Sequence, residues 1–140
     1  MKRELKSGKF LLNPLNQQVY IFPIASGEDI KEDDLVVVNA KTLQASQPQK
    51  ASGYYAIGRA TKIITHLNGN RSVICRDGIF CVDNADDPEN KILSCDIGKT
   101  CYFAGKNSVS LDNINTTEAG EIIAINKEND CIFVKITVEE

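Results

Sequence analysis

Short apolar runs cut by turn residues set the strongest limit on what this chain can fold into. VVVNA (36–40), YAIGRA (55–60), KIITHL (62–67), RSVICR (71–76) and GIFCVD (78–83) come first. KTCYFA (99–104), EIIAIN (121–126) and CIFVKITV (131–138) follow. All are rich in Val, Ile, Phe, Tyr or Cys, the residues that suit a pleated, half-buried surface. NGN at 68–70, Asp77-Gly78, NADDPEN at 84–90, AGKN at 104–107 and KEND at 127–130 separate them. In RSVICR the apolar set is Val73 and Cys75, with Ile74 facing the other way. In the last run Ile132, Val134, Ile136 and Val138 share one face. Asn68-Gly69 predicts a hairpin between KIITHL and RSVICR, and INKENDC predicts a second one. A helical period is missing from every long window, and ENKILSCDIGK (89–99) offers only a short turn of helix before Gly98. The expected fold is mainly β: a small β-barrel or β-sandwich of short, mostly antiparallel strands.

The 140 residues fit one domain, large enough to bury a core without a metal or disulfide. Residues 27–140 read as that single β-rich domain, and residues 1–26 as an extended N-terminal arm with a leading strand, QQVYIFPI. The arm carries Phe10, Leu11, Leu12 and Leu15 without a steady period. Either it frays, or its apolar side chains cover the barrel or a neighbouring molecule. Its basic start and brief apolar stretch, Phe10 to Leu12, are too short for the core of a signal peptide, so synthesis in the cytoplasm is expected. A formal charge of −3 argues against a nucleic-acid partner, which demands a basic face. No apolar run reaches the ~18 residues of a membrane helix.

Cys75, Cys81, Cys95, Cys101 and Cys131 are odd in number and lack C-x-x-C spacing. Their β-branched and aromatic neighbours predict buried, reduced thiols acting as small hydrophobes. The acidic turn GEDIKEDD (27–34) is expected to stay solvated. Asp29, Asp33 and Asp34 lack the cadence of a calcium loop.

The constellations of catalysis are missing from the sequence. His66 is the single histidine and sits at a hairpin end. Asp86-Asp87 and Glu139-Glu140 lie in a loop and at the end of the sequence. Neither phosphate-binding glycine motif is present. Tyr54-Tyr55, after Ser52-Gly53, form either a contact patch or a split pair, one ring inward and one along a strand edge. No enzyme activity and no cofactor are expected.

The order of motifs from residue 56 to 136 is more specific. AIGRA (56–60) and a hairpin lead to RSVICRDGIFCVDNADDP (71–88), then DIGKTCYF (96–103), SVSLDN (108–113) and EAGEIIAINKENDCIFVKI (118–136). This order resembles the small capsid cement (head decoration) proteins of tailed bacteriophages and prophages. Gly78, Phe80, Asn84, Asp87, Pro88, Gly98, Lys99, Cys101, Tyr102, Ala119 and Gly120 carry the resemblance, and DLVVVNA (34–40) is similar to the family's opening strand. The chain departs from the pattern at Ile132-Phe133-Val134, where the family often has Trp, and in its longer arm.

The resemblance implies a non-enzymatic virion protein that binds the outer surface of the mature head. It also implies the major capsid protein as partner and a homo-oligomer, with a trimer favoured by analogy with three-fold lattice positions. Phe10, Leu11, Leu12, Leu15, Tyr54 and Tyr55 are then the candidate capsid or subunit interface. The alternative is a β-barrel recognition module, part of a head fibre or a binder of host-surface carbohydrate or protein.

Overall fold

The computed structural model describes residues 9–12 and 18–138 of the chain. They form two β-systems. A six-stranded sheet runs in the order β1-β2-β6-β5-β3-β4. Its members are β1 (Lys9–Leu12), β2 (Gln18–Pro23), β3 (Leu35–Asn39), β4 (Ala45–Ser46), β5 (Tyr54–Thr65) and β6 (Arg71–Arg76). The remaining strands close a five-stranded barrel, β10-β11-β7-β9-β8. These are β7 (Gly78–Asn84), β8 (Thr100–Gly105), β9 (Ser108–Ser110), β10 (Glu118–Asn126) and β11 (Cys131–Ile136). The expected mainly β, mostly antiparallel architecture is thus present, and the barrel form is the one adopted. One parallel pairing, Asp83↔Ser108 and Asn84↔Val109, completes the closure.

Both expected hairpins form. His66 N–H donates to Asn70 O (2.7 Å) and Gly69 N–H to His66 O (2.9 Å). Across the second turn Asn126 pairs with Cys131. The helical turn is a 3₁₀ turn at Ser94–Asp96. YAIGRA and the first four residues of KIITHL, two runs in the sequence, belong to one twelve-residue strand, β5, whose register against β6 shifts between Ala60 and Lys62. The shift lets one long strand bend without ending.

β3 explains why VVV does not alternate: Leu35 to Val38 are all buried. Leu35 and Val37 join the cluster that fills the barrel, with Ala56, Phe80, Val82, Phe103, Ile132 and Val134. Val36 and Val38 face the other way, into a cluster with Tyr20, Phe22, Ile30, Ile57, Val73 and Cys75. The sheet is therefore covered on both faces here, and a strand buried on both faces reads as continuous apolar sequence. β2, between β1 and β6, supplies Tyr20 and Phe22 to that second cluster. The expected alternation holds at Val73 and Cys75 and at Ile132, Val134 and Ile136, all buried, but Val138, expected on the same face, lies beyond β11 and packs in the second cluster.

Gly58 fixes the joint between the two systems. It lies at φ +146°, and a Cβ there would collide with the backbone carbonyl of Arg76. Only glycine lets β5 pass this close to the Arg76-Asp77 segment that carries the chain from sheet to barrel.

The cysteines need a correction. Cys81 and Cys131 form a disulfide, and their Cα atoms are 6.0 Å apart. Cys81 pairs with Phe133 and Cys131 with Asp83, so the two cysteines sit on a cross-strand diagonal. A spacing of 50 residues hides that neighbourhood from sequence inspection. Cys75 and Cys101 are free and buried, as expected, but Cys95 is free and exposed.

Candidate functional site

Tyr54 and Tyr55 open β5, and successive strand residues point to opposite faces. Tyr54 packs against the barrel cluster and Tyr55 against the second cluster. Gln49 Nε2 donates to the Tyr54 hydroxyl at 3.0 Å. Both tyrosines also border a groove of about 480 Å³ where β5 meets the barrel. Thr100, Glu118, Glu121, Lys135 and Thr137 form its polar wall. Glu121 stands opposite both Thr100 on β8 and Lys135 on β11. Gly120 forms part of the floor, because a Cβ there would collide with the carbonyl of Lys135.

The candidate arm residues are elsewhere. Phe10, Leu11 and Leu12 belong to β1, at the sheet edge, where Lys9 pairs with Tyr20 and Leu12 with Gln18. β2 and β6 separate that edge from β5. Leu15 lies outside the described residues. Of the five candidate residues in the described part, three lie on the edge strand β1 and two at the start of β5, with β2 and β6 between those strands.

The motif residues are chiefly architectural. Asn84 is buried, donates from Nδ2 to Ile92 O (2.9 Å) and Asp130 Oδ1 (3.1 Å), and accepts from Ile92 N–H (3.0 Å). It ties the end of β7 to the following loop and to the β10–β11 turn. Asp87 holds the Asp-Pro loop by accepting from Glu89 N–H and Asn90 Nδ2. Asp96 accepts from Leu93 N–H (2.8 Å) and Lys99 Nζ (3.0 Å), which hold its carboxyl below the usual range. Cys101 is fully buried, and burial pushes its thiol up to about 12, as it does for Cys75. Such thiols are poor nucleophiles.

The sequence reading missed one concavity. Asp83, Asp86, Asp87, Asp112 and Asp130 border a hollow of about 560 Å³ with Lys50. Lys50 pairs with Asp112 at 2.9 Å, and nearby Lys91 pairs with Asp130 at 2.9 Å. Each lysine holds its aspartate's carboxyl below the usual range. Each aspartate reads locally as a turn residue, so only the fold reveals the cluster. Among the described residues no group of three or more His, Cys, Asp or Glu is arranged to hold a metal ion. In the acidic turn, Asp34 accepts from Lys31 N–H (2.9 Å) and Gln47 Nε2 (3.2 Å). His66 Nε2 lies 2.9 Å from Ser72 Oγ on the exposed hairpin.

Comparison with protein-family models, with curated proteins and with solved structures found no match.

Proposed function

We propose that this chain is a non-enzymatic structural protein of a phage particle, binding the outer surface of the mature head and stabilising the shell. One observation carries the reading. Of the segments that resemble head decoration proteins, those from 78 to 136 gather into a closed barrel whose turns Asn84, Asp87, Asp96 and Lys99 serve, while 34–40 and 56–76 lie in the six-stranded sheet beside it. The later part of the resemblance thus supplies all five barrel strands. The partner in this reading is the major capsid protein, and repeated copies on a lattice would add avidity. The Cys81–Cys131 bridge supports it further, since disulfides persist on virion surfaces and are rare in reducing cytosol.

The groove at Tyr54 and Tyr55 favours a second reading, a recognition module of a head fibre. Aromatic rings beside carboxylates and hydroxyls can stack on and hydrogen-bond to a sugar or peptide.

Quantitative mass spectrometry of purified particles tests both. A copy number comparable to the major capsid protein, lost from heads made without this gene, is the expected result. A handful of copies per particle would favour the fibre module. Complete absence from particles would overturn both.

A further inference from the structure

β5 has an unfilled strand position along its first residues. β3 pairs with β5 from Tyr54 to Arg59, whereas β6 joins the opposite edge only from Arg59 onward. Along residues 54–58 that second edge therefore has no strand beside it among the described residues. The same stretch borders the groove: Tyr54, Tyr55 and Ala56 form one bank, and Glu118, Glu121 and Lys135 of β10 and β11 belong to the other. An unpaired strand edge offers its N–H and C=O groups to an incoming extended chain. The bank facing it carries two carboxylates and one ammonium. Among the described residues none of the three is in an ion pair, although the register sets Glu121 opposite Lys135. The groove thus fits an extended segment that brings positive charge.

We propose that the groove receives residues 1–8 of a second copy of this chain, added as a strand against the free edge of β5. Those residues, MKRELKSG, lie outside the described part and carry Lys2, Arg3 and Lys6 against Glu4 alone. In an extended segment Lys2 and Lys6 share one face and Arg3 takes the other, so a cation meets the carboxylate bank in either setting. Main-chain hydrogen bonds to β5 supply affinity, and the charges select the segment. The direction of β1 makes the donor a second copy. Lys9 pairs with Tyr20 and Leu12 with Gln18, while Val19 lies opposite Arg76. The Leu12 end of β1 is thus the one nearer the joint of sheet and barrel, and β1 followed back to Lys9 leads away from it. Reaching its own groove would require the segment to double back past β2 and β6. The inference rests on reading the groove as a recognition site, to which it gives a definite ligand, and not on attachment to heads.

Sedimentation velocity of the full chain over a wide concentration range tests this. The wild type is expected to self-associate, and more weakly as salt rises. Two variants reverse the charges, Lys2→Glu/Arg3→Glu/Lys6→Glu in the segment and Glu118→Lys/Glu121→Lys in the groove. Each, folded by circular dichroism, should lose at least about tenfold in association constant. Their equimolar mixture should associate again, because each supplies the charge that the other requires. The segment as a peptide, acetylated and amidated, should dissociate the wild-type assembly and shift the backbone amide resonances of Tyr54 and Ala56. The peptide carrying the three glutamates should do neither. A wild type that stays monomeric at every concentration would overturn the second copy as donor. A mixture that stays dissociated, or Tyr54 and Ala56 amides unmoved by the peptide, would overturn the pairing of segment with groove. Amides moved by cellohexaose and not by the peptide would overturn this inference alone and leave the recognition reading standing.

Discussion

Cys81 and Cys131 face each other diagonally across β7 and β11, and their disulfide staples two adjacent barrel strands at a sequence separation of 50 residues. On the chain-entropy model, closing a loop of that length contributes about 4 kcal/mol. Reduction, or Cys81→Ser with Cys131→Ser, is therefore expected to lower the unfolding free energy by about 2–4 kcal/mol. Denaturant titration with and without reductant checks this. Identical midpoints would show that the bridge adds nothing.

The free thiols should then separate by burial. Cys95 is exposed, whereas Cys75 and Cys101 are buried with thiols pushed up to about 12. Native iodoacetamide treatment at pH 8 is expected to label Cys95 alone. Unfolding without reductant should add Cys75 and Cys101, and reduction should add Cys81 and Cys131. Peptide mapping reads each stage. Native labelling of Cys75 or Cys101 would contradict the packing of the cores.

Strand positions were legible because the period of two is local: Val73/Cys75 and Ile132/Val134/Ile136 show their faces in the sequence, whereas Val138, past the end of β11, turns to the second cluster. Hairpins were legible where a short turn joins neighbours, as at Asn68-Gly69. Neighbours distant in sequence were not. Nothing local says that β9 pairs in parallel with β7, that Cys81 meets Cys131, or that Tyr54 borders a groove with Glu121. Arg59 and Arg76 look like ordinary strand-edge charges until the register places them opposite each other with Phe80 between sheet and barrel.

The Gly58 joint predicts a severe effect from one methyl group. Gly58→Ala must accept φ +146° and push the Arg76 carbonyl away, in a place where β5, β6 and the crossing to β7 meet. A loss of about 3 kcal/mol or more is expected. Gly27→Ala is a control: its φ is +84°, but nothing lies within 4 Å of its Cβ, so about 1 kcal/mol is expected there. Equal losses in the two variants, measured by chemical denaturation, would show that the close approach is unimportant.

Asp96 and Asp77 should respond to pH with opposite signs. The Leu93 N–H and the Lys99 ammonium hold Asp96 below its ordinary 3.8, so it contributes stability above that value and loses it as pH falls through the lowered one. Burial raises Asp77, so its ionisation weakens the fold as pH rises from 3.8 through the raised value. The stability difference between wild type and Asp96→Asn should therefore grow from acid toward neutral pH. The same difference for Asp77→Asn should shrink. Urea titrations from pH 3 to 7 measure both, and parallel slopes would refute the assignment of one of the two.

The arm gives the last prediction, and it separates folding from attachment. β1 occupies an edge of the six-stranded sheet and pairs with β2 alone, while β2 is held on its other side by β6 from Val19↔Arg76 to Pro23↔Ser72. Deleting residues 1–16 removes β1 but leaves β2 and every described member of the two buried clusters. The truncated chain is expected to keep a cooperative thermal transition. If Phe10, Leu11, Leu12 and Leu15 anchor the protein to a shell, it should no longer co-sediment with heads lacking the wild-type protein. Full binding by the truncated chain would clear the arm of that role and move the contact to the groove beside Tyr54 and Tyr55. Tyr54→Ala with Tyr55→Ala, checked for folding, would then be the variant to lose attachment.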